Sequence, residues 1–385
     1  MAKRILIILR RLNMGGIQTQ TSLLAGEFLK RGCSVTVLVQ KKGHPGSPEV
    51  RMPGGAEVFC RDFDRSSKLN PLTGFLRLIL TPLSLLFLGK VGNTFIPGIF
   101  ISRLTRKFIN NLEKKNGRFD LILIRGETAV ETLWCLRHSN LWTVIEGEVP
   151  DFTRNCFSRR FARSIFGEKN IVCVSDGETK DLQEALKKNG VTPGKIATIY
   201  NFIDPEFVRS KSLEQIPDLP EPGYLVTVGR LSKRKNQGMA IRALTYLPES
   251  VRLVLVGEGG CRGELEALAG SLGVRNRCIF AGNQPNPYPY IRNAAMLVHT
   301  PTQEAFGLVI PEALALGKPV AVTEAPGGMR SILKGPLACS IVPQDEKALA
   351  ERIRHVLESG EKPDTSVLDE FSADNTAGKF LLLSD

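Results

Sequence analysis

The apolar run Ile5–Leu9, a glycine-bearing loop, a helical pattern over Thr19–Lys30 and a second apolar run at Ser34–Val39 allow few arrangements. Two short strands joined through a helix pair in parallel with a right-handed crossover, so the chain opens on a βαβ unit. Further strands are expected at Leu121–Ile124, Thr143–Ile145, Ile171–Val174 and Ile196–Tyr200. Asp204–Gly223 breaks the pattern with prolines at 205, 217, 220 and 222 and reads as a linker. A second alternation follows, with strands at Tyr224–Val228, Arg252–Val256, Cys278–Ala281, Met296–His299 and Pro319–Thr323 and helices at Gln237–Tyr246, Glu264–Leu272 and Pro311–Leu316. The expected fold is α/β, with two doubly wound, Rossmann-like parallel-sheet domains facing a cleft and ligands beyond the carboxyl ends of the strands. The boundaries read as 1–203 and 222–363, with 364–385 packing back on the first domain.

A chain of 385 residues suits two cores, and 42% apolar with 23% charged residues excludes a disordered or fibrous protein. Residues 1–200 hold 31 Lys+Arg against 17 Asp+Glu, whereas 201–385 hold 20 against 22. A basic half beside a near-neutral one points to an anionic partner of the first domain. The eight cysteines show no paired or metal-ligand spacing and read as free, buried thiols. The five-residue apolar run after Arg4 is stopped by Arg10 and Arg11, so it reads as a buried strand and not as a signal peptide. Residues 72–101 are broken by Arg77, Lys90, Pro82 and Pro97 and are too interrupted to span a bilayer, which takes about 20 apolar residues. They fit a core helix or an interfacial segment.

The segment Glu304-Ala305-Phe306-Gly307-Leu308-Val309-Ile310-Pro311-Glu312 carries the strongest chemical signal. Glu304 falls in the loop after the strand Met296–His299, and Gly307 and Leu308 open the helix that carries Glu312. Free N–H groups at a helix start seat a diphosphate, and flanking carboxylates accept hydrogen bonds from sugar and ribose hydroxyls. A capped helix with two solvated glutamates is the plain alternative. Gly229-Arg230-Leu231-Ser232-Lys233-Arg234-Lys235-Asn236 follows another strand at the same sheet edge. There Arg230 can grip phosphate through two bonds and Lys235 as a point charge.

These residues resemble glycosyltransferase family 4, retaining enzymes of the two-domain GT-B architecture. The likeness rests on Val228-Gly229-Arg230-Leu231 with Lys235, Leu255-Val256-Gly257-Glu258-Gly259, Phe280-Ala281-Gly282, Glu304 to Glu312, and Gly317-Lys318-Pro319-Val320. Asn13-Met14-Gly15-Gly16, Arg31-Gly32, Asp120 and Tyr200-Asn201-Phe202-Ile203-Asp204 extend it more loosely over the first half. The resemblance implies that Glu304 contacts the donor sugar and Glu312 the ribose. It also implies that the backbone at Phe306, Gly307 and Leu308, with Arg230 and Lys235, holds the diphosphate. Gly15 and Gly16 would let a loop of the first domain approach the donor. No metal or other cofactor is implied, because protein cations neutralise the leaving group. The stretch 282–287, including Asn283 and Gln284, and the turn Pro326-Gly327-Gly328 look like those of bacterial enzymes using UDP-hexoses or UDP-N-acetylhexosamines.

Many relatives carry a histidine soon after the strand that begins at Asp120. This chain has Leu121-Ile122-Leu123-Ile124-Arg125-Gly126-Glu127 there, so either Arg125 or Glu127 takes over part of that contact or the contact is dispensable. Asp62-Phe63-Asp64 matches a metal-binding D-x-D of another transferase architecture, one that lacks the second-half motifs present here. Gly257-Glu258-Gly259 lacks the third glycine of a dinucleotide loop. Tyr288 and Tyr290 suit a nucleotide pocket or core packing equally. The expected activity is sugar transfer from a nucleotide-diphosphate sugar to a lipopolysaccharide, lipid-linked or other envelope glycan. Alternatives are an inactive sugar-nucleotide-binding partner subunit and a nucleotide-sugar epimerase; no nucleic-acid motif is present. The expected location is cytoplasmic, peripheral on the inner membrane face. There Arg77, Lys90, Arg103, Arg106 and Lys107 would meet anionic headgroups while Phe75, Leu85, Phe87 and Phe95 dip inward.

Overall fold

A computed structural model describes residues 2–13, 15–43, 49–88, 92–147, 156–217 and 219–384, without the side chains of 86–88, 92 and 156–158. The chain divides into two compact units, Met1–Tyr200 with Ala373–Asp385, and Asn201–Ser372.

In the first unit the strands are β1 (Arg4–Leu9), β2 (Ser34–Val39), β3 (Glu57–Cys60), β4 (Leu121–Arg125), β5 (Leu141–Ile145), β6 (Asn170–Cys173) and β7 (Ile196–Thr198). Among the described residues they form one parallel sheet in the order β3-β2-β1-β4-β5-β6-β7. The helices are α1 (Gly16–Lys30), α2 (Phe63–Leu69), α3 (Pro71–Leu88), α4 (Gly92–Asn116), α5 (Glu127–Thr132), α6 (Cys156–Phe166) and α7 (Asp176–Lys188). Leu6 and Ile8 point into a core shared with α4, α5, α6 and α7, while the alternate residues Ile5, Ile7 and Leu9 are equally buried. A strand covered on both faces must be apolar throughout, which is why Ile5–Leu9 contains no polar residue.

The second unit holds β8 (Leu225–Val228), β9 (Leu253–Val256), β10 (Cys278–Gly282), β11 (Met296–His299), β12 (Val320–Thr323) and β13 (Ile341–Val342), parallel in the order β10-β9-β8-β11-β12-β13. Its helices are α8 (Pro205–Lys211), α9 (Gln237–Ala243), α10 (Arg262–Ser271), α11 (Tyr288–Asn293), α12 (Val309–Ala315), α13 (Met329–Ile332) and α14 (Glu346–Ser359). α15 (Ala373–Leu382) belongs to the first unit, where Phe380 meets Phe28 edge-on and Lys3 Nζ donates to the Leu381 carbonyl at 3.1 Å. Both sheets are α/β and doubly wound.

Several local expectations are corrected. The segment 204–223 is not an open linker. Asp204 caps α8 by accepting from the Phe207 N–H at 2.9 Å, Pro205 takes the first helical turn, and Val208 is buried. Residues 364–372 likewise stay with the second unit, where the Phe371 ring lies edge-on to Phe306, their centroids 5.4 Å apart. α1 starts at Gly16, three residues ahead of the expected helix, so Gly15 is its N-cap. Not every thiol is buried, since Cys60 and Cys339 are exposed.

The apolar stretch 72–101 forms most of α3 and the start of α4, with Pro82 and Pro97 inside them. Among the described residues no helix is long and apolar enough to cross a membrane. Arg77 does not face outward as expected. It is buried, donating to Asp64 Oδ1 at 2.7 Å and to the Asp64 carbonyl at 3.1 Å. Lys41 donates to Asp64 Oδ2 at 2.6 Å. Burial acts to raise the Asp64 carboxyl, but the hydrogen bonds and charges of Lys41 and Arg77 hold it well below the usual carboxylate range. Both acids of the D-x-D are thus engaged in structure, Asp62 as the cap of α2 and Asp64 in this cluster. Phe95 stacks on Trp134 with centroids 4.7 Å apart, packed inside the unit. The side chain of Phe87, and Lys90, lie outside the described residues.

Asp64→Ala leaves the buried Arg77 without its carboxylate and should cost about 3–5 kcal/mol in urea unfolding. The double replacement Asp64→Ala/Arg77→Met should recover most of that loss, since the buried guanidinium then goes with its partner.

Candidate active site

Two chain crossings at the carboxyl edge of the second sheet bring the site together. β11 ends at His299, and the loop that follows is pinned by backbone. The Glu304 N–H donates to the Pro326 carbonyl at 3.0 Å, and the Gly328 N–H donates to the Glu304 carbonyl at 2.8 Å. Gly327 has φ 113°, and a Cβ there would lie 1.9 Å from the Glu304 oxygen, so no other residue fits. Gly307 has φ 84°, and a Cβ there would lie 3.3 Å from Glu304 Cγ; Leu308 then caps α12.

The buried Glu304 carboxylate accepts from Lys235 Nζ and from His299 Nε2, the latter at 3.1 Å, both on Oε2. Burial alone would raise this carboxyl, but the His299 hydrogen bond and the Lys235 charge hold it down at about 2. His299 itself is pushed below its ordinary value by burial, against the pull of Glu304, and so is neutral near pH 7. An ionised carboxylate only accepts, so Nε2 carries the imidazole proton. Lys235 thus lies on Glu304, and the exposed guanidinium of Arg230 stands separately on the loop after β8. His299 was missed in the sequence. The available signal was a polar residue at the carboxyl end of an otherwise apolar central strand, five residues before Glu304.

Glu312 lies one turn into α12 and accepts from the Tyr288 hydroxyl at 3.1 Å. Burial pushes its carboxyl up to about 7, and the Tyr288 hydrogen bond opposes the rise only in part. The Phe306 side chain is buried against Phe371, so only its backbone faces the loop. Asn283 is exposed after β10, and Gln284 turns back to the Ala281 carbonyl at 2.7 Å.

The remaining candidates lie on the first unit. Gly15 caps α1 and Gly16 opens it. Arg125 ends β4 and is buried against Glu146 at the end of β5, its Nε 3.4 Å from Oε2 and its Nη2 bonded to Oε1. Glu127 starts α5 and lies against Gly147. A guanidinium held in such a fork gives the sheet edge a fixed pair instead of a free cation.

Residues 209–366 match the family model described as Glycosyl transferases group 1. The chain is 32% identical over 152 residues to a Campylobacter jejuni N-acetylgalactosamine-N,N'-diacetylbacillosaminyl-diphospho-undecaprenol 4-alpha-N-acetylgalactosaminyltransferase, covering 40% of this chain and 41% of that one. It is 28% identical over 187 residues to the lipopolysaccharide core biosynthesis glycosyltransferase LpsE of Rhizobium meliloti, covering 49% and 53%. The chain thus spans about half the length of the relatives it matches by sequence. In solved structures it resembles Anabaena HepE in complex with UDP and glucose, with TM-score 0.64, 20% identity and coverage of 100% and 96%. It also resembles WaaG, a glycosyltransferase involved in lipopolysaccharide biosynthesis, with TM-score 0.62, 19% identity and coverage of 98% and 95%. Residues 209–366 thus match the group 1 glycosyltransferase family, and the fold is that of solved GT-B glycosyltransferases.

The raised carboxyl of Glu312 makes a pH prediction. Its unfolded-state value is 4.5, so above that pH the unfolded chain loses a proton the folded one keeps, and stability falls until about 7. Glu312→Gln should therefore melt higher than the parent protein at pH 8. The gain should shrink towards pH 5 in thermal scans.

Proposed function

We propose that the chain transfers a hexose or N-acetylhexosamine from a nucleotide-diphosphate sugar, with UDP the carrier, to a lipopolysaccharide or other lipid-linked envelope glycan. The observation that carries this reading is a carboxylate kept ionised in a buried setting by Lys235 and His299, with Oε1 left to accept a hydroxyl. Glu304 in that role orients the donor sugar. Glu312 accepts from the ribose. Arg230, the backbone at 306–308 and the charge of Lys235 meet the negative charge that grows on the leaving diphosphate, so metal-independent departure is the mechanism proposed. The Campylobacter relative is named for an alpha linkage and HepE was solved with UDP, which supports an α-retaining transfer from a UDP-sugar.

Glu304→Ala should slow nucleotide release in the presence of acceptor by about 10²-fold or more. Its UDP affinity in calorimetry should stay near that of the parent. Arg230→Ala should do the reverse, losing about 1.5–3 kcal/mol of UDP binding. Lys235 is a poorer probe of the diphosphate, because its removal also releases Glu304. Transfer within about threefold of the parent for Glu304→Ala would end this reading.

The first unit supports a membrane-facing acceptor. On α3, Leu72, Phe75, Leu76, Ile79 and Leu83 follow helical spacing on one face and, with Leu78, are 36–75% exposed. Residues 1–120 hold 20 Lys+Arg against 7 Asp+Glu. We propose that this face lies in the headgroup region of the inner cytoplasmic membrane. Sedimentation should show binding to anionic vesicles at low salt, weaker binding at high salt, and loss with Leu72→Ser/Phe75→Ser/Ile79→Ser. Equal failure to bind anionic and neutral vesicles at low salt would refute the attachment.

A further inference from the structure

We infer that His299 is a positioning residue of the transfer, the anchor that keeps Glu304 aimed at the donor when Lys235 is drawn away. The inference rests on the transferase reading above and assigns a role to a side chain outside the glutamate pair and the basic loop. β11 is buried along its length between β8 and β12, and its residues Met296, Leu297 and Val298 are apolar. A histidine as the fourth residue, 2% exposed, carries a desolvation cost that an aliphatic side chain would avoid.

That histidine points its Nε2 at Glu304 Oε2, 3.1 Å away, with the proton on Nε2 because the carboxylate only accepts. Its ring is planar and rooted in a central strand, whereas the Lys235 ammonium rides on four methylenes from the loop after β8. The ammonium has two claims on it. In this structure it sits on Glu304, and an arriving diphosphate competes for the same charge. Once Lys235 turns to phosphate, Glu304 keeps one side-chain donor among the described residues, His299. That single neutral hydrogen bond holds Oε2 and leaves Oε1 in register for a sugar hydroxyl.

The test uses the full-length protein with its UDP-sugar donor, and rates are expressed per molecule competent to bind UDP. His299→Leu removes the donor, and His299→Met does so with a different shape should the leucine variant not fold. Either should lower kcat by about 30-fold while UDP affinity and donor KM move less than about twofold, since a misaimed carboxylate loses reactive geometry more than binding. His299→Gln, which restores an N–H on a longer side chain, should return kcat to within about fivefold of the parent. A donor-free variant with kcat within about twofold of the parent, or a glutamine variant as slow as the leucine one, overturns the inference. If Glu304→Ala is inactive while His299→Leu is not, the site stands and this role of His299 falls. If Glu304→Ala is itself active, the transferase reading falls and takes this inference with it.

Discussion

Between Gly327 and the carbonyl of Glu304 there is no room for a β-carbon, and on that close approach the second unit's site is built. Two backbone hydrogen bonds join Glu304 to the 326–328 turn, so the position of its α-carbon is set before any side chain acts. The side chain is then fixed from two more directions, by Lys235 from the loop after β8 and by His299 from β11. Three separated stretches of sequence thus meet at one carboxylate. A carboxylate so placed has little freedom left to lose when a ligand arrives, which is how a protein makes a hydrogen bond count towards orientation.

Three of the buried carboxyls, Asp64, Glu304 and Glu312, are treated in different ways, and the differences follow from their neighbours. Asp64 is surrounded by cations and is a structural anion. Glu304 has one cation and one neutral donor, enough to stay ionised at about 2 but not enough to occupy both oxygens. Glu312 has only a phenol and rises to about 7. Burial pushes all three upward, so the number and kind of donors decides the outcome. The carboxyl proposed to orient the sugar is thus permanently charged, and the one proposed for the ribose gains from any further donor, a ribose hydroxyl included.

How far the chain could be read beforehand depended on whether the deciding contact was local. Buried parallel strands announce themselves, and Ile5–Leu9 and Met296–His299 fall where their apolar runs place them. The E-x7-E spacing placed Glu304 after a strand and Glu312 in a helix for the same reason. The linker reading of 204–223 failed because prolines were weighed as breakers. Asp204-Pro205 is instead a helix start, the one place where proline costs nothing. His299 was invisible because its meaning lies in a partner reached only when the loop folds back. The pairing of Arg125 was not legible because Glu146, just past the end of the neighbouring strand, is 21 residues away in sequence.

α3 shows the same dependence in its strongest form. A rotation of this helix by half a turn would bury Leu72, Phe75 and Ile79 and return Arg77 to water, the ordinary arrangement for a surface helix. The opposite is observed, because Arg77 is held by Asp64 and Ser67 of the preceding helix. Buried ion pairs seldom stabilise a protein more than apolar packing would, and exposed apolar area forfeits about 25 cal/mol for each Å² left in water. Neither half of the arrangement is explained by the stability of the isolated unit. The cluster around Asp64 sets the rotation of α3, and that rotation turns an apolar face outward on a unit rich in lysine and arginine. A surface of that composition gains by meeting an apolar phase bordered by negative charge, which is the chemistry of the anionic bilayer on which a lipid-linked acceptor would reside.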